Sequence, residues 1–133
     1  MSGMTRPSVE QWLQEAKTLP AADECGMYLV HNGIVRRTAR EQVRNGAADT
    51  APVVSMDFSY DREKLREILS AAQELPGIFH VRVWLNEGQL DVGEDIMQVL
   101  VGGDIRPHVI AALEYLVGRI KSECVVERER YGS

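Results

Sequence analysis

The sequence predicts an α+β protein, a two-layer sandwich in which helices cover one face of a mixed sheet. Three observations point there. Apolar residues recur at helical spacing in two long stretches and alternate with polar residues in several shorter ones. Each long helix follows a strand, in the order α-β-loop-β-α-β-β-α-β. The chain has 133 residues, 44% hydrophobic and 26% charged, which suits one domain over 1–133 with a single core.

Residues 1–7 read as a tail. Ser8 opens the first helix, because Ser8-Val-Glu-Gln11 has capping-box spacing. Trp12, Leu13 and Ala16 supply its apolar stripe, and Pro20 stops it. Gly26 to Val35 reads as a strand interrupted by Asn32-Gly33, a pair that signals either a hairpin turn or a bulge. From Arg36 to Pro52 the pattern is lost, leaving a polar loop of a length that is often functional. Val53 to Ser59 alternates as a strand. Asp61 then caps a helix with Leu65, Ile68, Leu69 and Ala72 on one face, ended by Pro76-Gly77. In the strand Ile78 to Leu85, the apolar positions Phe79, Val81, Val83 and Leu85 oppose His80, Arg82 and Trp84. Asn86-Glu87-Gly88 makes a turn, and Leu90 to Glu94 is a short strand or loop. Ile96 to Val101 is almost wholly apolar, so it takes the centre of the sheet. Asp104 caps the last long helix, with Pro107 tolerated in its first turn. Its buried stripe is Ile110, Leu113, Leu116, Val117 and Ile120. Cys124, Val125 and Val126 suggest a final strand before a charged tail, ERERYGS.

The net charge of −5, from 20 acids and 15 bases, argues against general nucleic-acid binding, which needs surplus cations. The bases are uneven, with Arg36, Arg37, Arg40 and Arg44 falling within nine positions. That cluster is either a solvated loop or an anion site. No apolar run is long enough for a membrane span, and no secretory signal is expected, which makes the cytoplasm the expected compartment. Cys25 and Cys124 show no metal-ligand spacing, so no metal is expected and both read as reduced thiols. No Ser-His-Asp arrangement is apparent, and His31, His80 and His108 read as surface or structural. Gly102-Gly103 before a helix start is the best generic anion cradle. Arg106 in that first turn opposes the helix dipole, which hints at a role; pairing with Asp104 is the bland alternative.

Five segments resemble one family in order and spacing. Gly26-Met-Tyr-Leu-Val-His-Asn-Gly33-Ile-Val35-Arg36 is similar to the G-x6-G-x-V-R segment of the molybdopterin synthase large subunit, the MoaE family. Val54 to Tyr60 with the following helix resembles a second segment, and Gly88-Gln-Leu90-Asp-Val92-Gly93-Glu94 a third. Ile96 to Arg106 then runs without a gap to the strand that ends in His-Arg, and Glu114-Tyr115-Leu116 matches the helix ending in D-Y-L-K. The likeness runs from Gly26 to about Glu129, with residues 1–25 as a helical extension and 26–129 as the family-like core.

The resemblance implies an α/β hammerhead-like fold and a homodimer. It also implies a ubiquitin-like, MoaD-like sulfur carrier whose C-terminal Gly-Gly thiocarboxylate delivers two sulfurs to a cyclic pyranopterin monophosphate. No cofactor, membrane or nucleic acid is implied. Arg36 and Arg106 match the family's substrate-holding arginines, with Gly102 and Gly103 beside the second. The family lysines fall on Val117 and Cys124, and the histidine before the second arginine is Ile105. Lys121 and Cys124 are the remaining candidates for the chemistry. Lys121 also reads as an exposed lysine that the helix C-terminus favours. The departures predict slow or absent turnover, the alternative being a non-catalytic homodimeric module that binds a pterin, a carrier or another partner. An exposed Trp84 and the apolar strand Ile96 to Val101 are expected to form the dimer surface.

Overall fold

In the computed structural model, which describes residues 6–39 and 51–132, the strands form two three-stranded antiparallel sheets instead of one mixed sheet. The described elements are α1 (Val9–Ala16), β1 (Met27–Ile34), β2 (Val53–Tyr60), α2 (Arg62–Gln73), β3 (Ile78–Leu85), β4 (Gly88–Asp91), β5 (Asp95–Gly103), α3 (Arg106–Arg119) and β6 (Val125–Tyr131). The first sheet has the order β1-β5-β3 and the second β4-β2-β6. The α+β class holds. Every connection within a sheet is antiparallel, so no parallel crossover is required.

β5 is central in the first sheet, as its apolar run requires. Its side chains alternate between two covered faces. Met97, Val99 and Val101 join the core beneath α2 and α3, with Ile68, Ala72, Val109, Ala112 and Leu116. Leu100 faces the other way, against Trp12 and Ala16 of α1, flanked by Tyr28, Val30 and Trp84. Helices therefore cover both faces of this sheet, not one. α1 keeps its Ser8 cap, whose oxygen accepts from the Gln11 amide at 3.2 Å. It is pinned by Arg82, which lies 4.6 Å from the Trp12 ring and 3.2 Å from the Glu15 carboxylate.

Several local expectations change. β1 runs straight through Asn32-Gly33, and the irregularity is a bulge between Gly33 and Ile34, so no hairpin forms. β4 starts at Gly88, earlier than expected. The N-cap of α3 is Ile105, which has no cap bond; Asp104 instead accepts from the Ile105 amide and from His108 Nδ1. Ile110 is exposed, and Val109 and Ala112 take the buried stripe with Leu116 and Ile120. Most of the charged tail is strand β6, because Val125, Glu127 and Glu129 turn inward while Val126, Arg128 and Arg130 face out. Trp84 sits under α1, and Ile96–Val101 is buried within the chain, so neither offers a dimer surface.

α3 ends in a π turn, Ile120–Cys124. Ser122 Oγ donates to the Gly118 carbonyl at 2.9 Å, and Arg119 grips Glu123 through two contacts of 2.9 Å across the turn. The Asp61 amide donates to the Cys124 carbonyl at 2.9 Å, which docks the turn on the start of α2.

Candidate functional site

β1 ends at a place where three elements meet. The Val35 amide donates to the Glu94 carbonyl at 3.0 Å, and the Gly93 amide donates to the Val35 carbonyl at 2.8 Å. The chain is thereby held against the β4–β5 turn, and Arg36 emerges exposed beside it. The Arg36 Nε donates to the Thr38 carbonyl at 2.9 Å, and among the described residues its terminal guanidinium nitrogens have no hydrogen-bond partner.

Side chains of β1 alternate between α1 and the α2/α3 layer. Tyr28 and Val30 pack toward α1, and Met27 and Leu29 toward the main core, so His31 and Gly33 share the core-facing side. α3 returns along this side and delivers Lys121 from the π turn to the neighbourhood of His31. Burial, and secondly the Lys121 charge, hold the His31 pKa below its ordinary value. The Lys121 ammonium lies 3.6 Å from the carboxylate of Glu127, which β6 turns inward to 6% side-chain exposure. Imidazole, ammonium and carboxylate thus lie beside the core-facing side of β1, with Arg36 five residues further along the chain.

The other expected residues fall elsewhere. Cys124 is buried, and its Sγ donates to the Asp61 carbonyl at 3.4 Å. Burial pushes its pKa up, the wrong direction for a thiolate nucleophile. Val117 packs against the core. Gly102 and Gly103 are buried within β5 between two strands. A Cβ on Gly102 would lie 2.6 Å from the Tyr28 ring, and one on Gly103 would lie 2.6 Å from the Gly77 carbonyl. Close packing is what these glycines serve, and a central strand offers an anion no free row of amides.

Arg106 is exposed at the start of α3, and the expected pairing of Asp104 is with His108, at 2.7 Å. Met27 pairs with Gly103 and Ile34 with Asp95, so Arg36 and Arg106 sit at opposite ends of the sheet. The run from Met27 to Ile34 spans roughly 23 Å at about 3.3 Å per residue. Two arginine side chains cannot bridge that gap to one small anion, so within one chain the two family-matched arginines do not share a phosphate. Arg40 and Arg44 lie outside the described residues. Among the described residues no cluster fit to hold a metal occurs.

His31 and Glu127 were missed from sequence. Strand alternation from Met27 and Leu29 was the signal for His31, and the period-two pattern of VVERERY was the signal for Glu127.

The chain matches the model of the MoaE protein family over residues 5–123. No curated protein sequence matches it. The fold is that of the molybdopterin synthase structure from Staphylococcus aureus, with TM-score 0.75 and 18% identity over 98% of this chain and 89% of that one. It is also that of the MoaE protein from Burkholderia ambifaria, with TM-score 0.71 and 17% identity over 96% and 84%. The complex of subunits 1 and 2 of the molybdopterin-converting factor from Helicobacter pylori contains a third, with TM-score 0.63 and 14% identity over 96% and 85%.

Proposed function

The chain belongs to the MoaE protein family, and from that premise we propose that it is the large subunit of a molybdopterin synthase in molybdenum cofactor biosynthesis. It takes sulfur from the thiocarboxylate of a small, MoaD-like carrier and passes it to a cyclic pyranopterin monophosphate. The observation that supports this reading is the family match over residues 5–123, with Arg36 exposed just beyond β1 and Lys121 close enough to His31 of the same strand to lower its pKa. A phosphate needs a guanidinium fork, and a carrier's terminal carbonyl needs a cation or hydrogen-bond donor beside it. Arg36 supplies the first and Lys121 the second. Cys124, Gly102 and Gly103 are left out of the site on the grounds of burial and packing.

Arg106 serves the same substrate only from a second copy. A homodimer in which Arg106 of the partner subunit approaches the Arg36 end would let both arginines hold one phosphate. The exposed apolar residues Val54, Val126 and Tyr131 of β2 and β6 supply surface for such an association. No described helix is long and apolar enough to cross a membrane, and the cytoplasm is the proposed compartment.

A second reading is favoured by one observation: core-packed Val117 and buried Cys124 place no amine where the family has lysines. On that reading the chain binds carrier and pterin without turnover. Binding itself is tested by calorimetric titration of cyclic pyranopterin monophosphate into the parent and Arg36→Ala. Loss of a charge-assisted hydrogen bond weakens affinity by about 1.5–3 kcal/mol. Unfolding stays unchanged, because Arg36 is exposed. Equal affinity in the two proteins removes Arg36 from the site.

A further inference from the structure

His31 stands on edge strand β1, on the side that faces α2 and α3. Its Nε2 lies over Gly33, where a Cβ would sit 3.8 Å from that nitrogen and 3.2 Å from Met97 Cγ. A side chain at position 33 would crowd the imidazole on the side toward Arg36; glycine leaves that approach open. Among the described residues neither ring nitrogen has a hydrogen-bond partner. The side chains of β5 on this face, Met97 and Val99, are apolar, as are the core residues Leu113, Leu116 and Val117 of α3. The charges around it are Lys121, paired with Glu127 of β6, and Arg36 further along the strand.

We propose that His31 is the proton acceptor of the sulfur-transfer site, supplied from β1 where α3 carries Val117 in place of a family lysine. The proposal rests on the sulfur-transfer reading above. Moving sulfur from an acyl carbon to the precursor passes through a thioester that joins the two, formed when the thiocarboxylate sulfur bonds to a precursor carbon and an oxygen substituent of that carbon leaves with its bonding electrons. Water adds to the thioester carbonyl, its oxygen bonds to the acyl carbon, and its proton goes to His31 Nε2. The acyl C–S bond then breaks, and the departing sulfur takes the proton back from His31. The new acid at the carrier terminus loses its own proton to solvent, so the products are a carboxylate and a thiol, with no change of oxidation state. Lys121 beside the carbonyl oxygen stabilises the charge that develops there. An imidazole kept neutral at pH 7 is available for the first proton transfer.

The test is single-turnover transfer from a thiocarboxylated carrier to cyclic pyranopterin monophosphate, from about pH 5 to about pH 9, in parent, His31→Gln and Lys121→Met. His31→Gln lowers the neutral-pH rate by about 10²-fold and abolishes the acid limb, with carrier affinity by calorimetry unchanged. Lys121→Met moves the acid limb of the remaining rate to higher pH, because a positive neighbour has gone. A His31→Gln protein with parental rate and pH profile overturns this inference alone. A parent that binds both substrates and transfers nothing overturns the sulfur-transfer reading with it. Should His31→Gln fail to fold, ring-proton titration of the parent by NMR decides. An ordinary His31 pKa, unmoved by Lys121→Met, overturns the proposal.

Discussion

Gln98 is fully buried on the α1-facing side of β5, and among the described residues neither its amide nitrogen nor its amide oxygen finds a partner. Its cross-strand neighbours are Asn32 and Trp84. Asn32 Nδ2 already donates to Asp95 Oδ1 at 2.9 Å and to the Met97 carbonyl at 3.0 Å. The Trp84 Nε1 is itself unpartnered. Among the described residues nothing depends on the Gln98 amide, so removing it orphans none of their groups. Methionine has a similar volume and no strong polar atom. Gln98→Met therefore removes a desolvation cost of about 1–3 kcal/mol without opening a cavity. For a chain of this size the gain corresponds to about 4–12 °C in Tm. Urea unfolding and calorimetry at one fixed protein concentration measure it, since self-association also shifts apparent stability. A loss of stability of about 1 kcal/mol or more rules out an unpaired Gln98 amide. It would mean that the Gln98 amide is satisfied by a tightly held group and that this face is built for polarity.

Three further outcomes follow from the titrating groups and the helix end. Burial holds both His31 and His80 below their ordinary pKa, with Lys121 and Arg82 as the secondary causes. Below the ordinary value of 6.5 the unfolded chain binds protons that the folded chain refuses, so stability falls as pH drops from there toward the lowered values. Urea unfolding near neutral and near pH ~5.5 shows that loss, and His31→Gln with His80→Gln diminishes it; equal sensitivity in the double variant contradicts the assignment. Val117→Lys raises the sulfur-transfer rate, because Val117 is only partly buried and an amine there can snorkel outward. Cys124→Lys instead costs several kcal/mol of stability, because it places an ammonium in the core; a Cys124→Lys protein as stable as the parent by urea unfolding would show that the site opens to solvent.

The fold class and the central position of β5 were legible because a run such as Ile96–Val101 has only one comfortable place in a sheet. The Ser8 and Asp61 caps were legible from local chemistry, and both side chains accept the expected amides. The division into two sheets was not legible, because pairing β6 with β2 joins segments far apart in sequence, and the charges of ERER masked a period-two pattern. Trp84 looked exposed because α1 covers it by a tertiary contact that no window of sequence contains. The π turn leaves no periodic signal, while the exposed position of Lys121 near the end of the last helix was legible. Arg36 and Arg106 were paired through the family likeness, whereas the antiparallel register of β1 and β5 sends them to opposite ends.

The most direct test of the central claim is dithiolene formation from cyclic pyranopterin monophosphate and a thiocarboxylated Gly-Gly carrier. The proteins to compare are the parent, Arg36→Ala and Val117→Lys. The parent forms product slowly, Val117→Lys forms it faster, and Arg36→Ala shows a loss that follows its weakened precursor affinity. Carrier and precursor binding with no dithiolene from either the parent or Val117→Lys would contradict the central claim and leave a binding module on a synthase fold.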